Sequence, residues 1–360
     1  MSLSSHDDLP VAIAIGILST SDIVDKVLPG LKQSIFRVLG VASRDPERAQ
    51  LFCVKNDCGD GMSHADMLSH PDIDALYVPL PSGLRNEYLS RAIAARKHVY
   101  SEKPMGGTVE DIAQLVGECK AQGLQWMDGT MWYHSTRTKA IEKTIREGDI
   151  GPVQHVSAAF TFKAPDDAWL NGGNGRTDKT REPMGCLGDQ GWYPLSAILW
   201  AYNWELPEKV MATHTTLNTV DTIVACTGTI WFSGGRSAHF DCGCTSAHRS
   251  QFEIVGERGT IRVDDLVGGQ GRSGDFSAYE VPFIGSNLYV QGDVMGKDRV
   301  MQVPPCDHVN ELVNAFAACV QHIKEGGKPD PDWPRRTLAV HTVMSAVFVS
   351  SQNGGAVVSL

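Results

Sequence analysis

No apolar run in the chain approaches the roughly 20 residues that a membrane span needs. No Lys/Arg-rich stretch relieves a formal net charge of -10, from 32 basic and 42 acidic side chains. A surface of that sign repels polyphosphate backbones, so neither nucleic acid nor membrane is expected as a partner. Met1 to Pro10 is polar and acidic, without the basic stretch and apolar core of a secretion signal. HExxH pairing and a GxSxG elbow are missing as well. The cysteines number nine, an odd and scattered set. A chain of 360 residues needs no disulfide staples, so they read as reduced, mostly buried thiols in the cytoplasm. Cys242-Gly243-Cys244 has the wrong spacing for a zinc knuckle and no partner pair, so no metal is expected.

What is present is ordinary globular composition, 42% hydrophobic and 21% charged, with length for about two domains at roughly 150 residues each. From about residue 11 to 130 short apolar strands alternate with amphipathic helices. Strands are predicted at 11–18, 36–42, 74–80, 98–101 and 124–127. Asp45-Pro46-Glu47 opens a helix with an N-cap acid, a proline at the first helical position and an acid in the first turn. Such alternation predicts a doubly wound parallel sheet, an α/β Rossmann domain over residues 1–130. Beyond about residue 150 the rhythm changes to strands with hairpin punctuation, at 153–162, 209–217, 223–231, 237–242, 251–255 and 260–263. One helix at 191–201 interrupts, and two close the chain, at 309–324 and 335–351. Residues 131–360 are therefore expected to form an α+β domain with a large, mostly antiparallel open sheet. Asn171 to Gly175 and Gly268 to Gly274 read as loops.

The first strand enters its helix through Ser19, Thr20, Ser21, Asp22 and Ile23, after an isolated Gly16. A strand-to-helix turn is where dinucleotide pyrophosphate sits, because the helix N-terminus offers free N–H donors. The usual glycines are missing here, and serines lack easy access to positive φ. The turn is either a cofactor site with hydroxyl donors or an ordinary connection. Ser43-Arg44 ends the second strand where an acid would accept both ribose hydroxyls. Arg44 can fork onto a 2′-phosphate, which favours NADP over NAD; otherwise it is an exposed loop arginine. Pro79, Leu80, Pro81, Leu84 and Glu87, at the carboxyl end of the third strand and the start of its helix, are expected to line the same crevice. Glu102-Lys103-Pro104 follows the next strand, where a partly desolvated lysine would have its ammonium disfavoured and exchange a proton.

Four segments in order carry a resemblance: Ala75 to Pro81; Glu102-Lys103-Pro104; Met127-Asp128-Gly129-Thr130-Met131-Trp132; and Gly185 to Tyr193, with Gly188, Asp189, Gly191 and Trp192 between. Together they resemble the glucose-fructose oxidoreductase / inositol dehydrogenase (Gfo/Idh/MocA) family. The branch with dimeric dihydrodiol dehydrogenases, D-xylose 1-dehydrogenases and plant relatives looks most similar. The resemblance implies a Rossmann domain, then an α+β domain whose open sheet mediates dimerisation, with cofactor in the crevice between them. It carries the catalytic lysine to Lys103, places Glu102 near the nicotinamide ribose and puts a cis peptide before Pro104. It carries the aspartate to Asp189 and the acid/base to Tyr193. Four residues apart, Asp189 and Tyr193 would share one face of a helical first turn, with Lys103 lowering the tyrosine's pKa. The family's histidine position after the third-strand loop holds Arg85.

Trp132 reads as a sugar-stacking platform or as core packing, with His134 and Arg137 beside it, and Arg176 as a substrate contact or a solvated loop residue. The function expected is NADP-dependent hydride transfer between nicotinamide and a secondary alcohol or carbonyl of a sugar or cyclic trans-diol. A non-catalytic NADP sensor and an oxidoreductase that never releases its cofactor are the alternatives. The assembly expected is a homodimer or higher homo-oligomer through the second sheet.

Overall fold

A computed structural model describes residues 13–267, 288–291, 299–301 and 306–360. The Gly268 to Gly274 loop and the acidic start of the chain lie outside the described residues. The first half runs β1 (Ile13–Ile17), α1 (Asp22–Gln33), β2 (Phe36–Ser43), α2 (Pro46–Asn56), β3 (Asp60–Ser63), α3 (His64–Ser69), β4 (Ala75–Val78), α4 (Ser82–Ala94), β5 (His98–Ser101), α5 (Val109–Ala121) and β6 (Trp126–Asp128). The strands form one parallel sheet in the order β3-β2-β1-β4-β5-β6. Chain order reverses between β1 and β4, which opens a crevice at their carboxyl ends. β3 and α3 went unforeseen because Asp60-Gly61-Met62-Ser63 has no apolar run; it is held as an edge strand by backbone pairing to β2.

Strand alternation divides the core. Ile13, Ile15, Ile17, Tyr77, Tyr100 and Met127 face one side. Leu76, Val78, Val99 and Trp126 face the other, each buried side chain contributing about 1.5–3 kcal/mol.

The second half continues with α6 (Thr136–Arg146), β7 (Val153–Lys163), α7 (Gly185–Asp189), α8 (Trp192–Ala201), β8 (Lys209–Leu217), β9 (Ile223–Trp231), β10 (Ser237–Gly243), β11 (Thr245–Arg249), β12 (Phe252–Gly256), β13 (Thr260–Val263), β14 (Leu288–Gln291), β15 (Arg299–Met301), α9 (His308–Lys324), α10 (Asp332–Gln352) and β16 (Val358–Ser359). Its sheet runs β15-β14-β13-β12-β7-β10-β9-β8-β16, with β11 also pairing β7. All pairings are antiparallel except β7 with β10. α8 is apolar all round and buried across this sheet, as a helix inside a core must be. No helix among the described residues is long and apolar enough to cross a membrane.

The two closing helices tie the halves together. α9 packs beside α1, and Phe316 sets its ring 5.7 Å from Phe36 and 5.6 Å from Tyr100. α10 reaches both sheets: Thr337 Oγ1 donates to Asp128 Oδ2 at the end of β6, and Ser350 Oγ accepts from the Ala212 N–H of β8. At the local level, Asp45 caps α2 as its sequence demands, accepting from the N–H groups of Glu47 and Arg48 at 3.0 and 3.3 Å. Asp45→Ala should lower stability by about 1 kcal/mol, read from the urea midpoint.

Candidate active site

The carboxyl ends of β4, β5 and β6 meet the junction of α7 and α8. Lys103, two residues beyond β5 and joined to Pro104 by a cis peptide, projects into that junction. Its Nζ donates to Asp189 Oδ1 at 2.8 Å and to the Asp189 carbonyl at 2.9 Å, and lies 4.4 Å from the centre of the Tyr193 ring. Arg176 Nε approaches the other carboxylate oxygen at 2.9 Å, where Gln190 Nε2 also donates at 3.1 Å. Sequence-distant Lys103, Arg176, Asp189 and Tyr193 therefore form one cluster.

Two expectations about it need correction. Asp189 and Tyr193 do not share a helical turn: Asp189 ends α7 and Tyr193 lies in α8, with Gln190 and Gly191 between. At the break Gly191 packs where a Cβ would sit 2.3 Å from the Leu187 carbonyl and 3.1 Å from Cys242 Sγ. Nor is the Lys103 ammonium disfavoured. Burial opposes it, but Asp189, Tyr193 and Glu102 outweigh burial and hold its pKa above the ordinary lysine value. Asp189 is the converse: burial would raise it, yet Lys103 and Arg176 bring it down to about 2. For Tyr193 burial wins, raising the phenol although Lys103 pulls it down.

Glu102 sits behind the lysine. It accepts from Tyr77 Oη at 2.8 Å and from the Lys103 N–H at 3.2 Å. Its oxygens lie where any side chain at Gly129 would collide, 2.8 Å from the position of a Cβ. Arg85 is a structural clamp rather than a substrate contact. It is buried and donates to the Leu80 carbonyl at 2.8 and 2.5 Å and to the carbonyls of Glu102 and Pro104. One guanidinium thus joins the end of β4 to the Glu-Lys-Pro turn.

At the proposed phosphate turn the backbone solves the missing-glycine problem directly. None of Ser19, Thr20, Ser21 or Asp22 has positive φ, so serine carries no strain there. Gly16 serves elsewhere, inside β1, where a Cβ would strike Met67 Sδ at 2.1 Å. Ser21 leaves α1 without a side-chain cap and instead donates to the Pro79 carbonyl at 3.2 Å, joining the turn to the end of β4. Asp22 is exposed and Ile23 half-buried. Ser43 closes β2 and Arg44 follows, exposed. Pro79 is buried, Leu80 half-buried, Pro81 exposed; Leu84 is 55% exposed, and Glu87 pairs outward with Arg91.

Other expectations fall away from the cluster. Trp132 is 1% exposed, donates to Ser196 Oγ at 3.2 Å and packs edge-on to Trp200, so it is core and not a sugar platform. His134 stacks on Trp333. Arg137 is buried and donates to the carbonyls of Asp265 and Leu266. No metal-binding cluster occurs among the described residues; Cys244 Sγ instead contacts Cys186 Sγ. Nothing in the sequence pattern marked Tyr77, Ser82 or Glu182. Glu182 is buried beside the cluster, its Oε2 2.8 Å from Ser82 Oγ; the one available hint was an acid before proline just ahead of the Gly185 motif.

With the geometry in place, comparison with known proteins is decisive. Residues 14–130 match the oxidoreductase family with an NAD-binding Rossmann fold, and residues 138–262 match the GFO/IDH/MocA C-terminal domain. The chain belongs to the Gfo/Idh/MocA family of oxidoreductases. It is 31% identical over 229 residues to a dTDP-3,4-didehydro-2,6-dideoxy-alpha-D-glucose 3-reductase of Saccharopolyspora spinosa, a match covering 63% of this chain and 66% of that one. It is 25% identical to a D-xylose 1-dehydrogenase (NADP(+)) of Haloferax volcanii over 95% of this chain and 98% of the relative. The aldose-aldose oxidoreductase of Caulobacter crescentus shares the fold, at a TM-score of 0.80 and 21% identity over 97% of this chain and 99% of the other. Within this family member, Arg85→Ala leaves the Leu80 and Pro104 carbonyls without their donor and the Glu102 carbonyl with the Ser101 hydroxyl alone. At about 1–3 kcal/mol for each unsatisfied buried group, denaturant unfolding should show a loss of about 2 kcal/mol or more.

Proposed function

We propose that this chain is an NADP-dependent dehydrogenase or reductase acting on a secondary alcohol or carbonyl of a sugar or cyclic trans-diol. The observation that carries the reading is the Lys103 ammonium, held 2.8 Å from Asp189 and against the face of the Tyr193 ring. The residues fit a dinucleotide: the first N–H groups of α1 lack a side-chain cap, Ser19, Thr20 and Ser21 offer hydroxyls beside them, and Arg44 stands exposed at the end of β2 for a 2′-phosphate. Pro79, Leu80, Pro81, Leu84 and Glu87 line the nucleotide's crevice, and Glu102 and Pro104 the nicotinamide end. When bound, the nicotinamide supplies or accepts the hydride.

The protein's own task is to place the substrate and manage a proton. Tyr193 Oη gives its proton to a carbonyl oxygen in reduction and takes one from the hydroxyl in oxidation. Lys103, kept charged by Asp189, steadies the phenolate and the substrate oxygen as negative charge develops. Asp189 holds the lysine in register, and Arg176, half in solvent on the outer oxygen of Asp189, is free to contact a substrate hydroxyl. A sensor without turnover has no use for so complete a proton-handling group.

Residues 1–130 then form the cofactor domain and 131–360 the substrate and dimerisation domain. The half-exposed face of β9, with Ala225, Thr227, Thr229 and Trp231, and the neighbouring Ser157 and His239 suit a second copy of the sheet. Free thiols at all nine cysteines suit the cytoplasm.

Screening aldoses and trans-diols for an absorbance change in the reduced nicotinamide band tests the activity. Tyr193→Phe and Lys103→Met should each lower kcat by about 10²–10⁴-fold while NADP binding, measured by fluorescence, changes only a few-fold; turnover at the wild-type rate in both variants overturns the assignment. Arg44→Ala should weaken NADP by roughly 10–100-fold, the worth of a charge-assisted contact, and NAD hardly at all. Equal loss for both cofactors means that Arg44 does not read the 2′-phosphate.

A further inference from the structure

Three contacts fasten the segment that carries Arg176 and leads into α7 onto the start of α4. Gly83 N–H donates to the Arg181 carbonyl at 3.1 Å. Ser82 Oγ lies 3.2 Å from that same carbonyl and 2.8 Å from Glu182 Oε2. The serine hydroxyl has one proton. A carbonyl only accepts, so if Ser82 donates to Arg181, the shorter contact to Glu182 is a hydrogen bond only when the carboxyl brings a proton of its own. Glu182 is 8% exposed and has no ion-pair partner among the described residues. Its other oxygen packs against Gly188, where a Cβ would come within 2.4 Å.

We propose that Glu182 is a proton-holding positioning residue: its neutral carboxyl donates to Ser82, Ser82 donates to Arg181, and this relay clasps the Arg176 loop and α7 to the cofactor half. The charged groups facing Glu182 are Arg85 from α4, Lys103 from the turn after β5 and Asp189 from α7. Burial is the main influence and Asp189 adds to it, against the pull of Ser82, Arg85 and Lys103, so the acid is pushed up to about 8. A neutral Glu182 has a second consequence. Buried Lys103 and Arg85, with half-exposed Arg176 beside them, then outnumber the carboxylates of Glu102 and Asp189, which leaves the cluster net positive. That field favours negative charge at Tyr193 Oη or on a substrate oxygen. Ionising Glu182 would cancel it and would break the relay, since a carboxylate takes the serine proton away from Arg181.

The melting temperature as a function of pH tests the clasp without a substrate. A group whose folded pKa, about 8, lies above its ordinary 4.5 contributes stability that is complete below the lower value and lost as pH rises through the upper one. Glu182→Gln keeps an N–H donor for Ser82 and cannot titrate. Wild-type protein should therefore lose several degrees relative to Glu182→Gln between those two pH values and then run parallel to it. Glu182→Ala, with no donor, should be destabilised throughout. Parallel wild-type and Gln profiles across the window, or a Gln variant as unstable as the Ala variant at about pH 6, overturn the proposal. If the variants do not fold, isotope-labelled glutamate in the wild type serves: the infrared carbonyl band of a protonated carboxyl should vanish as pH passes about 8, and a band constant through that range refutes the idea. The effect on turnover rests on the function proposed above. There kcat/KM should fall above about pH 8 in the wild type and not in Glu182→Gln. The melting result with no turnover of any substrate would sink the proposed activity and leave the clasp standing.

Discussion

A buried ammonium needs a counter-charge, and the Lys103–Asp189 pair is the contact around which the rest of the site is arranged. Isolated, either charge would be expensive to bury, and the group would neutralise instead. Held together at 2.8 Å, with the carboxylate's second oxygen answered by Arg176 and Gln190, both stay ionised. The pair also joins the two halves of the chain, since Lys103 follows β5 of the first sheet and Asp189 ends a helix against the second. The electrostatics of the site thus also contribute to the docking of the halves.

The surrounding structure keeps that pair in place through polar groups with little freedom. Arg85 fixes the carbonyls on either side of Lys103. At the end of β6, Asp128 accepts from Thr130 and Thr337, and Thr130 in turn accepts from Trp192 Nε1 at 2.7 Å, one residue before Tyr193. α10 contributes Thr337 and packs on α8, so the tyrosine-bearing helix and the first sheet are held by the same helix. Buried networks of this kind specify one arrangement because every alternative leaves a donor or acceptor unpaired.

The phosphate turn shows how a motif can be lost and its geometry kept. Glycine is required where φ must be positive or a backbone must approach closely. Here Ser19, Thr20 and Ser21 keep negative φ, and the one close approach in β1 is met by Gly16. A reading that looks for glycines sees erosion, while the backbone shows an ordinary N-terminus with hydroxyls added. Trp132 teaches the reverse. Its place after the Asp128-Gly129-Thr130 turn suggested a ligand platform, but burial and a bond to Ser196 leave its ring no open face.

Periodicity and turn chemistry were enough to determine the class of each half, most strand positions and the Asp45 cap, because those depend on neighbours within a few residues. The family resemblance singled out Lys103, Asp189 and Tyr193 by type and order. Tertiary structure alone decided which charge each group keeps, that Asp189 and Tyr193 lie on separate helices, that Arg85 clamps backbone and that Glu182 stands behind the cluster. Those facts depend on burial and on partners dozens of residues away, and a pKa or a hydrogen bond is a property of the assembled surroundings and not of the residue.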